Sequence, residues 1–154
     1  MLEVENLDLH YGQSRILYEV SFQAPKGQIT TLIGNNGVGK TSTLKAIAGR
    51  HPASAGTITV DGTPVRLTTA FQAANVGIAY VPQGHIEPNV IQQIGDALRL
   101  LRTQGEMAIV LVEQNADFAY ALGDSFIVVE GGRNGPRKLK ADYTKDMLIA
   151  DLAL

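Results

Sequence analysis

The residues best suited to chemistry lie in the run GNNGVGKT, residues 34–41, which directly follows the strand-like stretch QITTLI. Glycines let the backbone adopt positive φ angles and turn its N–H groups inward around an anion. A lysine and a threonine at the end of such a loop meet the β- and γ-phosphates and a Mg²⁺ ion. The run matches the phosphate-binding P-loop motif in full. The predicted nucleotide ligands are Asn35, Asn36, Gly37, Val38, Gly39, Lys40, Thr41 and Ser42, with Thr41 also on the metal.

A strand before this loop and a helix after it are the elements that must position these residues. Residues 28–33 have the pattern of a strand, and residues 41–48 that of a helix with apolar Leu44 and Ile47, ended by Gly49. The N-terminal dipole of this helix would face the same phosphates. A plain glycine-rich turn is the alternative, but strand, motif and helix occur in the order that phosphate binding requires.

The N-terminal part of the sequence predicts an antiparallel sheet. Apolar residues fall mostly on an alternating pattern over residues 2–9 and resume over 16–22, on either side of a break at Gly12, which is typical of a β-hairpin. A second turn is predicted at 25–27, a loop at 51–56 and a short strand at 57–60, after which Asp61-Gly62 signals a tight turn. We therefore expect a small antiparallel sheet beside the parallel core.

The rest of the chain alternates strands with helices. The predicted elements are a short helix at 69–74, a strand at 76–81, a helix from Pro88 to Gly105, a buried strand at 107–112, a helix at 115–122 capped by Asn115, a strand at 126–129, a short strand near 138–139 and a helix at 143–152. After a P-loop, this alternation predicts an α/β fold of the P-loop NTPase class with a mainly parallel sheet.

Composition narrows the classes of protein. The chain has 154 residues, 45% of them hydrophobic and 18% charged, which suits one domain with a real core. A net charge of −2 without a basic cluster argues against nucleic acid as a partner. There is no cysteine, no signal-peptide pattern at the start and no membrane-spanning run, so a soluble protein is expected. The three histidines, His10, His51 and His85, lack metal-site spacing and are expected to be structural or solvated.

Four motifs resemble the ATP-binding subunits of ABC transporters, and most nearly the branched-chain amino acid or urea importer type. They are LDLHYG at residues 7–12, the P-loop, YVPQG at 80–84 and VLVEQN at 110–115. The resemblance implies binding of ATP or ADP with Mg²⁺, and a cytoplasmic protein at the inner face of the membrane. It also implies two partners, a second ATP-binding subunit and a membrane permease.

Three further residues match positions with known roles in that family. Tyr11 matches the aromatic residue that stacks on adenine. Gln83 matches the glutamine that reaches the Mg²⁺ and the attacking water, and Gln114 falls where most members have a histidine that contacts the γ-phosphate. Each has a structural alternative, because Tyr11 could simply end a strand, Gln83 could lie in an ordinary loop and Gln114 could be an exposed polar cap.

The sequence departs from this family near residues 85–87. Between the motif around Gln83 and the segment EPN at 87–89, members normally have a helical lobe, a Ser-Gly-Gly signature and an apolar strand ending in Asp-Glu. None of these is in the sequence, so the chain resembles a single truncated domain, residues 1–154, with an internal deletion and without the helical subdomain. The strand at 76–81 is hypothesised to take the place of the deleted strand, beside the strand at 107–112.

The missing parts have specific functions in the family. The aspartate holds Mg²⁺ through water and the glutamate polarises the attacking water, so ATP hydrolysis is expected to be very slow or absent. Glu113 and Glu130 also end apolar runs, but neither matches the catalytic position. The signature closes over the nucleotide of a second subunit and the lobe docks on the permease. We therefore do not expect this chain by itself to form the usual nucleotide sandwich or to couple to transport.

Three functions remain to be compared. The first is an ATP-binding module of ABC type with little hydrolysis. The second is a non-catalytic scaffold or remnant, natural or engineered, that keeps only an anion site. The third, a GTPase or a small-molecule kinase, lacks support because the sequence has no Asn-Lys-x-Asp guanine motif, no Asp-x-x-Gly switch and no arginine-rich lid.

Overall fold

A computed structural model of the chain describes residues 1–34, 39–66, 69–76, 78 and 88–153. The strands are β1 (Leu2–Tyr11), β2 (Ser14–Ala24), β3 (Gln28–Ile33), β4 (Ala55–Val60), β5 (Thr63–Val65), β6 (Ala108–Val112), β7 (Ser125–Glu130), β8 (Arg133–Asn134) and β9 (Lys138–Leu139). The helices are α1 (Lys40–Ile47), α2 (Ala70–Asn75), α3 (Pro88–Gln104), α4 (Ala116–Leu122) and α5 (Lys145–Leu152). A 3₁₀ turn at Lys140–Asp142 precedes α5.

The predicted antiparallel sheet is confirmed, with the strand order β2-β1-β4-β5. Strands β1 and β2 form the hairpin around Gly12, which has a φ angle of 61°. Asp61 and Gly62 turn the chain between β4 and β5 with φ angles of 50° and 81°, as a two-residue hairpin with mirror-image turn geometry requires. Leu2, Val4, Leu7 and Leu9 of β1 all belong to one buried cluster. Strict alternation would put the two pairs on opposite faces, but the strand has a register shift between Val4 and Leu7, where Asn6 has a φ angle of 50°.

The second sheet is the predicted, mainly parallel core, with the order β6-β3-β7-β8 and with β9 also paired to β7. The P-loop strand β3 runs parallel to β6 on one side and to β7 on the other. Helix α3 and its end at Gly105, which has a φ angle of 73°, are as predicted, and so are α1, α2 and α4. The carboxyl ends of β3, β6 and β7 therefore lie at one edge of the sheet, where open α/β sheets bind ligands.

One hydrophobic core joins the two sheets. Leu9 and Leu17 of the antiparallel sheet and Leu32 and Ile127 of the parallel sheet belong to the same buried cluster. The amide of Asn134 adds a polar link, since its Oδ1 accepts from the Ser21 N–H at 2.9 Å and its Nδ2 donates to the Ser21 carbonyl at 2.7 Å. The side chain of Asn134 thus binds β2 as a neighbouring strand would.

Strand β6 has the predicted position but not the predicted burial. Ile109, Val110 and Leu111 are half-buried, and Met107 before them is 44% exposed. The prediction of a fully buried strand is wrong because, in the described part of the chain, β6 pairs only with β3. Helix α3 is similarly uncovered, since Gly95 alone among residues 89–104 is fully buried.

Other predictions differ at their boundaries or fall outside the described ranges. Val76 lies in a turn and Ile78 outside any strand, while Gly77 and residues 79–81 are not described; the pairing of this segment with β6 is therefore untested. The last helix starts at Lys145 rather than at residue 143, because Thr144 caps it by accepting from the Met147 N–H at 3.2 Å. The short strand β8 was not predicted from the sequence.

Candidate functional site

The P-loop is anchored at both ends by the elements predicted to position it. Strand β3 leads into Gly34, and α1 starts at Lys40 directly after Gly39, whose φ angle of 104° is left-handed. Four of the predicted ligands, Asn35, Asn36, Gly37 and Val38, lie outside the described residues. The strand before the motif and the helix after it therefore occur in the order that the motif requires.

Gly39 is required by packing as well as by its φ angle. A Cβ atom at this position would lie 2.8 Å from Cδ2 of Leu17 and 3.3 Å from Cα of Gly132. Leu17 belongs to β2, and Gly132 lies in the turn before β8, so the end of the loop is packed against two elements distant in sequence. This close approach holds the start of α1 in place.

Lys40 is the cation of the site, and its side chain is only 5% exposed. Its ammonium group donates a hydrogen bond to the carbonyl of Gly34, the residue that follows β3. Burial lowers the pKa of Lys40 below its ordinary value, and the negative charge of Glu113 acts in the opposite direction. A buried cation bonded to a neutral carbonyl is suited to an anionic ligand, which would replace that carbonyl with formal negative charge.

The hydroxyl residues after Lys40 have different environments. Thr41, the predicted metal ligand, is exposed, and Ser42 is half-buried. Thr43 is fully buried, and its Oγ1 donates to the carbonyl of Gly39 at 2.7 Å. Thr43 was not predicted as part of the site, although a threonine four residues after a loop glycine is placed to bond back to that carbonyl.

Tyr11, the residue predicted to stack on adenine, lies at the end of β1 and is 41% exposed. Its ring contacts the ring of His51, with 4.4 Å between the ring centroids. His51 Nε2 donates to the carbonyl of His10 at 3.0 Å, and His10 Nδ1 is hydrogen-bonded to Ser54 Oγ at 2.7 Å. The structural roles expected for His10 and His51 are confirmed, and His85 lies outside the described residues.

Glu113 and Gln114 follow β6 at the same edge of the sheet as the P-loop. The Glu113 N–H donates to the Leu32 carbonyl at 3.4 Å, which places Glu113 beside the last residues of β3. One carboxylate oxygen of Glu113 accepts from the N–H groups of Gln114 and Asn115 at 2.8 and 2.9 Å. Gln114 is exposed at this edge, whereas Gln83 falls outside the described ranges, so its predicted position beside the metal is untested.

These residues fit a nucleotide with its metal. The buried ammonium of Lys40, the backbone at Gly39 that admits no Cβ atom and the exposed Thr41 hydroxyl lie together at the start of α1. A nucleotide-bound Mg²⁺ would add Lewis-acid polarisation of the phosphates.

In the described ranges, no group of three or more acidic or histidine side chains could hold a metal by itself. None of the helices there is long and apolar enough to cross a bilayer.

A family model and curated sequences both match this chain. The family model described as ABC transporter matches residues 17–126. A ribose import ATP-binding protein of Rhizobium meliloti is 35% identical over 83 residues, 54% of this chain and 16% of the relative. A phosphate import ATP-binding protein of Vibrio vulnificus is 52% identical over 46 residues, 30% of this chain and 17% of the relative. The chain therefore spans less than a fifth of the length of these curated relatives.

Solved structures agree on the fold. An ATP-binding subunit of an ABC transporter superposes with a TM-score of 0.76 at 18% identity and covers 100% of both chains. An ATP-binding cassette of an ABC transporter in its ADP conformation superposes with a TM-score of 0.78 at 13% identity and covers 92% of both chains. At such identities the likeness concerns the fold alone.

Proposed function

Because this chain belongs to the ABC transporter family of ATP-binding proteins, we propose that it binds ATP and ADP with Mg²⁺ at the P-loop. The observation that carries this proposal is the Lys40 ammonium, which is buried at the start of α1 and bonded to the Gly34 carbonyl. In the proposed complex Lys40 neutralises the β- and γ-phosphates, and the Thr41 hydroxyl binds the Mg²⁺. Tyr11 offers its exposed ring to the adenine.

The proposed biological role is that of the ATP-binding subunit of an importer at the cytoplasmic face of the membrane. This role is supported by relatives named as import ATP-binding proteins for ribose, arabinose and phosphate. The motifs at residues 7–12, 80–84 and 110–115 favour amino acids or urea as the imported solute. A second ATP-binding subunit and a permease are the corresponding partners of the complete assembly.

We propose further that hydrolysis and transport coupling are impaired in this chain. The support comes from the sequence around residues 85–87, where the Asp-Glu pair, the signature and the helical lobe of the family are missing. Without the two carboxylates, no group is assigned to fix the metal through water or to take a proton from the attacking water. Nucleotide binding needs neither carboxylate as a direct ligand of the phosphates, so it is expected to persist.

Calorimetric titration of ATP in the presence of MgCl₂ tests the central claim. Lys40→Ala removes the buried cation and is expected to weaken ATP binding by at least about tenfold, the range of a charged hydrogen bond. Lys45→Ala, in the last turn of the same helix, serves as the matched control and should bind ATP as the parent does. Circular dichroism checks that both variants fold.

If the parent protein binds no ATP, the scaffold hypothesis replaces the proposed function. If Lys40→Ala folds and binds ATP as tightly as the parent, the P-loop is not the nucleotide site. A brisk Mg²⁺-dependent ATPase activity at an intact mass of 16.5 kDa would contradict the proposed impairment.

A further inference from the structure

His51 is a residue for which the sequence offered no role in binding. It lies just after α1, and its N–H donates to the Lys45 carbonyl at 3.3 Å, so it is tied to the end of the P-loop helix. Its side chain reaches the other way, to the end of β1. There its Nε2 donates to the His10 carbonyl at 3.0 Å. Since a carbonyl only accepts, the Nε2 atom must carry the hydrogen.

The ring of His51 packs on the ring of Tyr11. The ring centroids are 4.4 Å apart and the ring planes are tilted by 46°. Aromatic pairs at this separation are mutually stabilising by about 0.5–1.5 kcal/mol beyond the area that they bury. His51 is half-buried while Tyr11 is 41% exposed, so the contact uses one side of the tyrosine ring and leaves part of it open.

Ser54 also bonds the segment after α1, residues 51–54, to β1; this connection is called the junction. Its N–H donates to the Asp8 carbonyl at 2.9 Å, and its Oγ is bonded to His10 Nδ1 at 2.7 Å. The short segment after the P-loop helix is therefore hydrogen-bonded to β1 through both of its ends. This junction sets the position of the Tyr11 ring relative to α1, whose first residue is Lys40.

We propose that His51 is a positioning residue for nucleotide binding, holding the Tyr11 ring at the distance from the P-loop helix at which base and phosphates are bound together. This inference rests on the proposed binding of ATP. A tyrosine ring already ordered by a neighbour loses less conformational freedom when a base stacks on it, and preorganisation of this kind increases affinity. Loss of the His51 ring should therefore weaken the binding of the base and not that of the phosphates.

The test compares ATP with inorganic tripolyphosphate, which has the phosphates but no base. Titrations use the full chain and the variants His51→Ala, His51→Phe and Tyr11→Ala. We expect His51→Ala to weaken ATP binding about three- to tenfold, the range of an aromatic contact, and to leave tripolyphosphate binding within about twofold. His51→Phe keeps a ring against Tyr11 and should recover most of the ATP affinity. In the Tyr11→Ala background, His51→Ala should have no further effect.

Three results would overturn the inference: an equal loss for both ligands, an unchanged ATP affinity, or a full additional loss in the Tyr11→Ala background. If His51→Ala does not fold, His51→Phe is compared with His51→Gln, which can keep the hydrogen bond without a ring. The inference then requires tighter ATP binding by the phenylalanine variant. If the parent binds neither ligand, the proposed function itself fails. Binding of both ligands without any response to Tyr11→Ala refutes both the stacking of adenine on Tyr11 and the role of His51, and leaves only phosphate binding at the P-loop supported.

Discussion

At the scale of single residues, the two glycines of the turn before β8, Gly131 and Gly132, differ in how much space surrounds them. A Cβ atom at Gly132 would lie 2.1 Å from the carbonyl oxygen of Ile16, whereas a Cβ atom at Gly131 would meet no atom within 4 Å. Both glycines have positive φ angles, 58° at Gly131 and 76° at Gly132. The two positions therefore differ in available space and share the same conformational preference.

We expect Gly131→Ala to lower the free energy of unfolding by about 1 kcal/mol, the cost of a left-handed alanine. Gly132→Ala should cost about 3 kcal/mol or more, because the backbone of β2 must also move. Urea denaturation of the two variants measures the difference. Equal losses in the two variants would show that the close approach to Ile16 is relaxed at little cost.

At the residue scale, the sequence predicted what a motif or a local pattern specifies. The elements that flank the P-loop motif and the place of Lys40 at the start of α1 follow from residue types and spacing alone. The contact between Tyr11 and His51 could not be predicted, because it joins residues 40 positions apart through packing that no local pattern encodes. The effect of Glu113 on the pKa of Lys40 could not be predicted from a local pattern either, because it depends on the pairing of β6 with β3.

At the scale of elements, α5 packs on the rest of the protein in a cluster that contains its own Leu148, which is fully buried, and Tyr143, which precedes the helix and is 2% exposed. Its ring lies 5.4 Å from that of Phe126 in β7, and its hydroxyl donates to the carboxylate of Asp151 within α5. The Nζ atom of Lys138 lies 3.6 Å from Oδ2 of the same Asp151 carboxylate. Burial and the hydrogen bond to Asp151 raise the pKa of Tyr143 well above its ordinary value near 10.

A raised pKa in the folded state makes stability depend on alkaline pH. The contribution of Tyr143 is fully present below about pH 10 and is lost as the pH rises further, because the unfolded chain then releases the proton first. Tyr143→Phe should cost about 1 kcal/mol at neutral pH and make the alkaline loss of stability shallower. Tyr120→Phe, in the same aromatic cluster, keeps Tyr143 and should retain the steep loss. Urea denaturation between pH 8 and pH 11 or so measures both.

The sequence predicted most elements correctly, and the failures have physical causes. Asp61-Gly62 encodes its turn locally, so the hairpin between β4 and β5 followed directly. Strand β8 has two residues and is held by pairing with β7 and by the Asn134 amide, both of which are tertiary contacts. The apolar run of β6 predicts an internal strand, but β6 is half-buried, because such a run specifies strand propensity and not the neighbouring strands.

At the scale of the whole molecule, the chain has the fold of the ATP-binding domains of ABC transporters. We propose that it carries only part of that family's motifs. The Ser-Gly-Gly signature, which would close over the nucleotide of a second copy, is missing from the sequence. We expect the mass in solution, measured by light scattering, to be the same with and without ATP and Mg²⁺. A doubling of the mass on addition of ATP would show that another surface replaces the signature.

The Asn134 amide also has a consequence for the motions of the protein. The Ser21 N–H donates to a side-chain oxygen of Asn134 rather than to a strand backbone, and Asn134 belongs to the other sheet. Whenever the two sheets separate, this amide proton is released to water while the pairing of β2 with β1 can remain intact. The rate at which the backbone amide of Ser21 exchanges its proton for deuterium therefore reports how often the two sheets separate while each sheet stays folded.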